Sequence, residues 1–257
     1  MELLLQPVVD TARDFGARLL KLYSPANRLT GRDAIRAGAA ALDFEDPLRD
    51  ALRAIRPEAG WVTDDEERAA LGAGEWWAVD DVEGAVNLLH GRPEWCVDIA
   101  LVRAGEVELA VVYQPVGDLL YTATRGGGAY RNGERLAVSP KAAFADAIVE
   151  TSQVGDEPAA LKSRIGAAIG TLMSRALLVR TTIPTTFPLL ALAEGRSDVF
   201  WQHEPALTGV AAGVLLATEA GALATDLTGA PWRPGAAGLL VAPPALHAEA
   251  LQAMADL

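Results

Sequence analysis

Carboxylates are the side chains best able to do chemistry in this sequence, and they are concentrated in one stretch. Between positions 58 and 83 there are nine Asp and Glu residues and a single basic residue, Arg68. Like charges at this density are costly unless water or a bound cation compensates them, and hard cations such as Mg²⁺ accept carboxylate and carbonyl oxygens. The stretch therefore indicates either a solvated acidic loop or a metal-dependent site.

The position of the last acidic residues favours a site over a loop. Asp80, Asp81 and Glu83 directly follow the apolar segment at residues 76–79, and Gly84 and a second apolar segment come next. Functional side chains are often found where a rigid strand ends and the chain turns. We therefore expect these carboxylates to be held at the end of a strand.

Two kinds of pattern divide the chain. Apolar spacing of three or four from Leu4 predicts a helix that ends near Pro25, and a second helix ends before Pro57. Short β-prone runs then predict an antiparallel meander with strands at residues 61–62, 76–79, 96–102, 107–113, 119–123, 129–130 and 135–138. After Pro140, strands at 147–151, 177–181, 198–201 and 239–242 alternate with helices at 159–174, 187–193 and 209–220. We expect an N-terminal α+β part at residues 1–143, which holds the meander and the acidic site, and a C-terminal α/β part at residues 144–257.

Composition narrows the function classes. The 257 residues are 51% apolar and 22% charged, which suffices for one large core or two modest ones. A net charge of −12 would repel a phosphate backbone, so nucleic acid is not an expected partner. The single cysteine, Cys96, permits no internal disulfide, and no run reaches the roughly 18 apolar residues of a membrane helix. With no signal-peptide pattern at the N-terminus, we expect a cytoplasmic protein without membrane contact.

Residues 76–91 carry a family resemblance. Their sequence, WWAVDDVEGAVNLLHG, closely resembles the inositol monophosphatase signature W-x-x-D-P-(I/L)-D-G-T-x-N-F-x-x-G. The register continues through residues 97–101, 112–115 and 126–133, and residues 57–65 match the family's P-x-x-x-x-(I/L)-x-E-E element without gaps. Residues 195–213 match the C-terminal signature in length. The resemblance therefore spans nearly the whole chain.

The resemblance implies a fold, a cofactor and a set of ligands. In this family a layered α/β/α/β/α sandwich, usually homodimeric, performs Mg²⁺-dependent hydrolysis of phosphomonoesters. Carboxylates hold the metals, and a threonine with a glutamate activates the attacking water. By position, the family's metal ligands correspond to the side chains of Asp64, Asp80 and Glu83 and to the carbonyl of Val82. The resemblance thus implies that one Mg²⁺ site persists.

Other family positions have lost their functional groups. The aspartate of the W-D-x-A-(A/G) motif corresponds to Gly209, with Thr208 in place of the tryptophan, and the water-activating threonine corresponds to Ala85. The T-x-x-D element falls on residues 38–41, without hydroxyl or carboxylate. The acidic residue that contacts the inositol ring corresponds to Gln202. Loss of water activation alone costs roughly 10²–10⁴-fold in rate.

Replacement groups are nevertheless available. His203 and Glu204 lie near the lost ligand in sequence and could act as catalytic acid, base or replacement ligand, as could Glu83. Backbone N–H groups of Gly84, Ala85 and Val86 begin a helical segment in the family, where an anion could still bind. With Gln202, Thr208 and Gly209, these residues are the expected substrate-binding set.

Three hypotheses follow from these losses. The leading hypothesis is a diverged family member repurposed for another reaction on, or binding of, a small metabolite, in a biosynthetic pathway. The second is a rewired Mg²⁺-dependent phosphatase of a small sugar or cyclitol phosphate. The third is a non-catalytic interaction protein, which predicts a pocket filled by apolar side chains.

Overall fold

The computed structural model describes residues 1–29, 31–40, 45–153, 155 and 157–255. The helices are α1 (Glu2–Leu20), α2 (Arg32–Ala40), α3 (Glu45–Ile55), α4 (Ala85–Leu89), α5 (Ala159–Met173), α6 (Thr186–Ala193), α7 (Leu207–Glu219) and α8 (Pro244–Ala255). The strands are β1 (Gly60–Trp61), β2 (Glu75–Glu83), β3 (Cys96–Arg103), β4 (Glu106–Gln114), β5 (Leu119–Thr124), β6 (Gly128–Arg131), β7 (Glu134–Arg135), β8 (Ile148–Thr151), β9 (Leu178–Thr181), β10 (Val199–His203), β11 (Leu223–Thr225) and β12 (Gly238–Ala242). The expected T-x-x-D position ends at residue 41, which lies outside the described residues.

The first sheet is the expected meander, with one difference at its edge. Strands β2 to β7 pair antiparallel in chain order, and Asn132-Gly133 forms the tight turn between β6 and β7 with φ of 49° and 83°. The prediction of an antiparallel partner for Trp61 was wrong, because β1 pairs parallel to β2. The connection at residues 62–74 is long enough to return the chain to the same end of the sheet, as a parallel pair requires.

The second sheet has the order β11-β12-β10-β8-β9 and mixes both pairing types. Strand β8 pairs in parallel with β9 on one side and with β10 on the other, whereas β12 pairs antiparallel with both β10 and β11. The sequence patterns predicted the parallel strands and their helices, but they missed β11 and α8. A three-residue strand offers too short a pattern, and the weakly amphipathic Ala-rich sequence of α8 gives little periodicity.

Five layers result, which confirms the α/β/α/β/α expectation. Helices α1 and α3 cover one face of the first sheet, with Leu48 and Phe15 packed against Trp77 and Ile99. Helices α6 and α7 lie between the two sheets, and α5 and α8 cover the outer face of the second. The middle core draws on both sheets, so the parts at 1–143 and 144–257 share buried apolar surface, and that division stays a prediction. Within the described part of the chain, no helix has the length and apolarity that crossing a bilayer requires.

Helix α8 places a histidine whose burial makes stability depend on pH. His247 is buried, its Nε2 lies 3.0 Å from the Thr225 hydroxyl, and burial lowers its pKa. The His247 imidazole therefore binds a proton more readily in the unfolded chain than in the folded protein. Its contribution to the free energy of unfolding is complete above about pH 6.5, and it is lost as the pH falls from there through the lower pKa of the folded state. We expect urea unfolding to show a lower free energy at pH 5 than at pH 7.5. His247→Gln should reduce this difference, whereas the control His90→Gln should leave it intact.

Candidate active site

An open cavity lies where β1 and β2 end, and we call it the acidic pocket. Its volume is about 650 Å³. Its walls are formed by Leu48, Arg49, Trp61, Val62, Thr63, Asp64, Asp65, Glu67, Val79, Asp80, Asp81 and Thr208. Most of this wall is polar, and five of its members are carboxylates. The acidic stretch therefore forms the surface of a cavity of small-molecule size.

Parallel pairing brings Asp64 and Asp80 to the same wall. The Val62 amide donates to the Trp77 carbonyl at 2.8 Å, which aligns the ends of β1 and β2. Asp64 is exposed, whereas Asp80 is partly buried and its Oδ1 accepts a hydrogen bond from the Val82 amide at 3.0 Å. Burial raises the pKa of Asp80. The structure thus brings together the first two residues of the expected ligand set.

Beneath this wall lie two fully or nearly buried acids, Glu83 and Asp98. The Glu83 carboxyl accepts a hydrogen bond from the Thr186 amide at 3.3 Å. The Thr186 hydroxyl donates to Asp98 Oδ2 at 2.6 Å. Burial raises the pKa of Glu83 well above its usual range and that of Asp98 to about 8. Desolvation and the neighbouring charges of Asp80 and Asp98 thus both raise the pKa of Glu83.

The N-terminus of α7 is occupied by a carboxylate from the acidic stretch. Glu67 Oε2 accepts the Thr208 amide at 3.0 Å, and its Oε1 accepts the Thr208 hydroxyl. The Leu207 amide also donates to the Glu67 carbonyl at 3.0 Å. An anion here satisfies orphan amides and complements the helix dipole. Glu67 is one of the nine acids between positions 58 and 83, and no local sequence pattern could link it to a residue 141 positions away.

Gly209 and Ala85, which lack the functional groups of the family, lie close to these carboxylates. Gly209 follows Thr208 in α7, and a Cβ built there would lie 3.7 Å from the Thr185 Cβ, an ordinary contact. Ala85 begins α4 after Gly84, whose φ of 95° and contacts below 3 Å exclude a side chain. A Cβ at position 209 therefore meets only ordinary contacts, so the local packing does not require glycine there.

The remaining expected site residues lie elsewhere. Side chains alternate along β10, so His203 lies with Trp201 on the face covered by α5 and α8, opposite Gln202. Gln202 accepts the Ser152 hydroxyl at 3.1 Å, and Glu204 is exposed with a φ of 44°. None of these three side chains lines the acidic pocket. The expectation that His203 or Glu204 replaces the lost ligand therefore gains no support from the geometry. Val86 is 45% exposed on α4 and also lies off the pocket wall.

The donors do not fit a two-metal centre. Oxygen ligands are the right type for Mg²⁺, but across the residues that the structure describes no group of three or more Asp, Glu, His or Cys side chains is arranged to hold a metal ion. Asp80 accepts a hydrogen bond from the Val82 amide, and Glu67 accepts one from the Thr208 amide of α7. A single Mg²⁺ at Asp64 and Asp80 stays a prediction.

The protein is a five-layer α/β/α/β/α sandwich with a carboxylate-walled pocket between its halves. This architecture is that of the inositol phosphatase fold class. The family model described as "Inositol monophosphatase family" matches residues 3–257, and the chain belongs to this family. The chain is 34% identical over 229 residues to an inositol-1-monophosphatase of Rhizobium meliloti (strain 1021), covering 85% of this chain and 80% of that protein. It is also 34% identical over 181 residues to the Nus factor SuhB of Pseudomonas aeruginosa, covering 67% of this chain and 62% of that one.

Structural similarity supports the same fold. An inositol monophosphatase from Anabaena (Nostoc) sp. PCC 7120 superimposes with a TM-score of 0.83, with coverage of 100% of this chain and 96% of that chain. Its sequence identity of 23% is low, so this likeness shows the fold alone. The suppressor protein SuhB from Bartonella henselae has a TM-score of 0.77 at 25% identity.

Proposed function

We propose that this chain is a diverged family member in which two-metal phosphate hydrolysis is lost or strongly reduced, and in which the acidic pocket acts on or binds another small metabolite. The observation that carries the proposal is the engagement of Glu67 with Thr208 at the start of α7. A carboxylate committed to a helix N-terminus is less available for a metal or a water molecule.

The two substituted positions support the same conclusion. Ala85 has no hydroxyl to activate water, and Gly209 has no carboxylate to bind a second metal. Each of these features weakens hydrolysis, and together they leave Asp64, Asp80 and Glu83 available for acid or base chemistry.

The pocket itself favours a small-molecule ligand over a fold retained for protein contacts alone. A cavity of about 650 Å³ with polar walls is not filled by apolar side chains. Its carboxylates suit hydroxyl or amino groups, as on a polyol, a sugar or an aminosugar, because carboxylates accept hydrogen bonds from such donors. We propose a metabolite of this class in a biosynthetic pathway.

A rewired phosphatase is the second candidate, and it rests on the shared wall of Asp64 and Asp80. Mg²⁺ often binds through one or two carboxylates together with substrate phosphate oxygens. This candidate predicts binding of Mg²⁺ at millimolar concentration and activity that Asp80→Ala abolishes.

One assay separates the two candidates. Phosphate release from cyclitol, sugar and nucleoside monophosphates is measured with 5–10 mM Mg²⁺, in parallel with calorimetric titration of Mg²⁺. We expect release at least about 10²-fold below that of an active family member measured alongside. Vigorous release that depends on Mg²⁺ and disappears in Asp80→Ala would establish the phosphatase and overturn the proposal.

The proposal includes a cytoplasmic homodimer that takes small molecules and not nucleic acid. The charge of −12 supports the exclusion of nucleic acid, the single buried Cys96 supports a reducing compartment, and the homodimer is proposed from the family's usual assembly. Light scattering after size-exclusion chromatography measures the oligomeric state directly.

A further inference from the structure

A second cavity lies between two turns of the first sheet, the second half of α7 and the segment that follows β11, and we call it the Trp232 cavity. The turns are those that connect β3 to β4 and β5 to β6. The volume of the cavity is about 280 Å³, and its lining shares no residue with the lining of the acidic pocket. This volume is at the small end of the range for ligand pockets, so the cavity suits a ligand with a single ring.

The inner wall of the Trp232 cavity is apolar and includes one large aromatic side chain. It is formed by Val107, Val214, Leu215, Ala224, Pro231 and Trp232. All of these except Pro231 belong to, or pack against, the core between the two sheets. Aromatic rings pack favourably against an indole and against aliphatic side chains. The inner wall therefore favours an apolar ring over a polar ligand.

The segment that carries Trp232 is held in place by hydrogen bonds of its own. The Trp232 amide donates to the Ala224 carbonyl at 3.1 Å. Oδ1 of Asp226 accepts the amides of Thr228 and Ala230 at 2.8 and 3.0 Å. The Asp226 amide in turn donates to the Ala230 carbonyl at 2.8 Å. The aromatic wall is thus in place before a ligand arrives, which reduces the entropic cost of binding.

The charged residues of the lining carry a surplus of one positive charge. They are Glu106, Arg125 and Arg233. Both arginines share the single Glu106 carboxylate: Nη2 of Arg125 lies 2.7 Å from its Oε2, and Nη1 of Arg233 contacts its Oε1. The side chains of Arg125 and Arg233 are 43% and 54% exposed. A guanidinium has five N–H donors in a planar fork, so one that is paired with a protein carboxylate retains donors for a second anion.

The acids next to this lining have donors of their own. Glu108 lies 3.4 Å from Arg125 but closer, at 2.8 Å, to Arg103. Glu219, near the end of α7, accepts two backbone amides of the turn after β5, at 2.7 and 2.8 Å. Neither carboxylate lines the cavity. A ligand in the cavity therefore meets two arginines and one glutamate.

We propose that the Trp232 cavity binds a small aromatic monocarboxylate of about the size of benzoate. The aromatic ring packs against Trp232, Pro231 and Val214, and the carboxylate pairs with Arg233 at the mouth. A phosphate dianion matches the cavity less well, because the lining has one surplus charge and its inner wall offers no partner for polar groups. This site goes beyond the function proposed for the acidic pocket and does not depend on it.

The test titrates benzoate into the whole chain, with calorimetry and NMR of the indole N–H groups as readouts. The chain has six tryptophans, and Trp232→Phe identifies the signal of Trp232. We expect saturable 1:1 binding with a Kd of about 1 mM or lower, and the largest indole shift at Trp232. Benzyl alcohol, which has the ring without the charge, should bind about tenfold more weakly.

Two substitutions with opposite expected effects assign the binding to this cavity. Arg233→Gln removes the surplus charge and should weaken benzoate binding about tenfold. Glu106→Gln releases both arginines from their shared carboxylate and should strengthen benzoate binding about threefold or more. The matched control Arg180→Gln removes one positive charge from an exposed position of β9 and should leave binding unchanged.

The variants are expected to fold, because the side chains of Glu106 and Arg233 are 34% and 54% exposed. Circular dichroism checks this directly. Absence of saturable benzoate binding at millimolar concentration would overturn the proposal, as would equal affinities for benzoate and benzyl alcohol. Equal binding of benzoate by Arg233→Gln and Arg180→Gln would overturn it as well.

Discussion

Introducing Ala85→Thr, Glu83→Asp and Gly209→Asp together is expected to raise Mg²⁺-dependent phosphate release by about 10²-fold or more. The threonine restores a hydroxyl for water activation, which is worth roughly 10²–10⁴-fold. The two aspartates supply the family's second-metal ligands, and a bound metal adds several kcal/mol of charge stabilisation. At position 209 the Cβ of the added side chain would lie 3.7 Å from its nearest neighbour, which is an ordinary contact. Phosphate release from a cyclitol monophosphate measures the gain.

The matched control replaces the threonine by valine, which has the same shape without the hydroxyl. Ala85→Val with the same two aspartates should bind Mg²⁺ equally well and hydrolyse far more slowly. Circular dichroism and melting temperature establish that both variants are folded. A folded threonine variant that binds Mg²⁺ and still releases no phosphate would contradict our explanation of the lost activity.

Gln153→Leu is expected to lower the free energy of unfolding by about 2–4 kcal/mol. The buried Gln153 side chain pairs with both the amide and the carbonyl of His203. Leucine has a similar volume but no polar atoms, so both buried backbone groups lose their partner. Each buried group left without a hydrogen bond costs about 1–3 kcal/mol. Urea unfolding at pH 7.5 measures the change.

Gln114→Leu is the matched control, because it makes the same substitution at the end of β4. That glutamine donates to the Pro93 carbonyl at 3.3 Å in an exposed setting, where water replaces the lost partner. We expect a change within about 0.5 kcal/mol. If Gln153→Leu were as mild as this control, the pairing with His203 would not brace the end of β10.

Local patterns predicted the strands and most helices well, because each depends on neighbours in sequence. Alternation and turn residues are sufficient for β2 to β7, where Asn132-Gly133 alone identifies a hairpin. The parallel partner of Trp61 could not be predicted in this way, since the direction of pairing depends on the path of the chain at residues 62–74. The acidic pocket was predicted in part, because Asp64 follows β1 and Asp80 lies in the last half of β2, and these two strands proved to be neighbours.

The sequence by itself determined the family, the layered fold and the absence of functional groups at Ala85 and Gly209, because these depend on residue type and order. Only the tertiary structure decided where carboxylates and imidazoles are used. Glu67 meets Thr208 across 141 positions, and alternation along β10 directs His203 away from the acidic pocket. Such contacts depend on how strands and helices pack in space, and packing is not encoded in the spacing of residues along the chain.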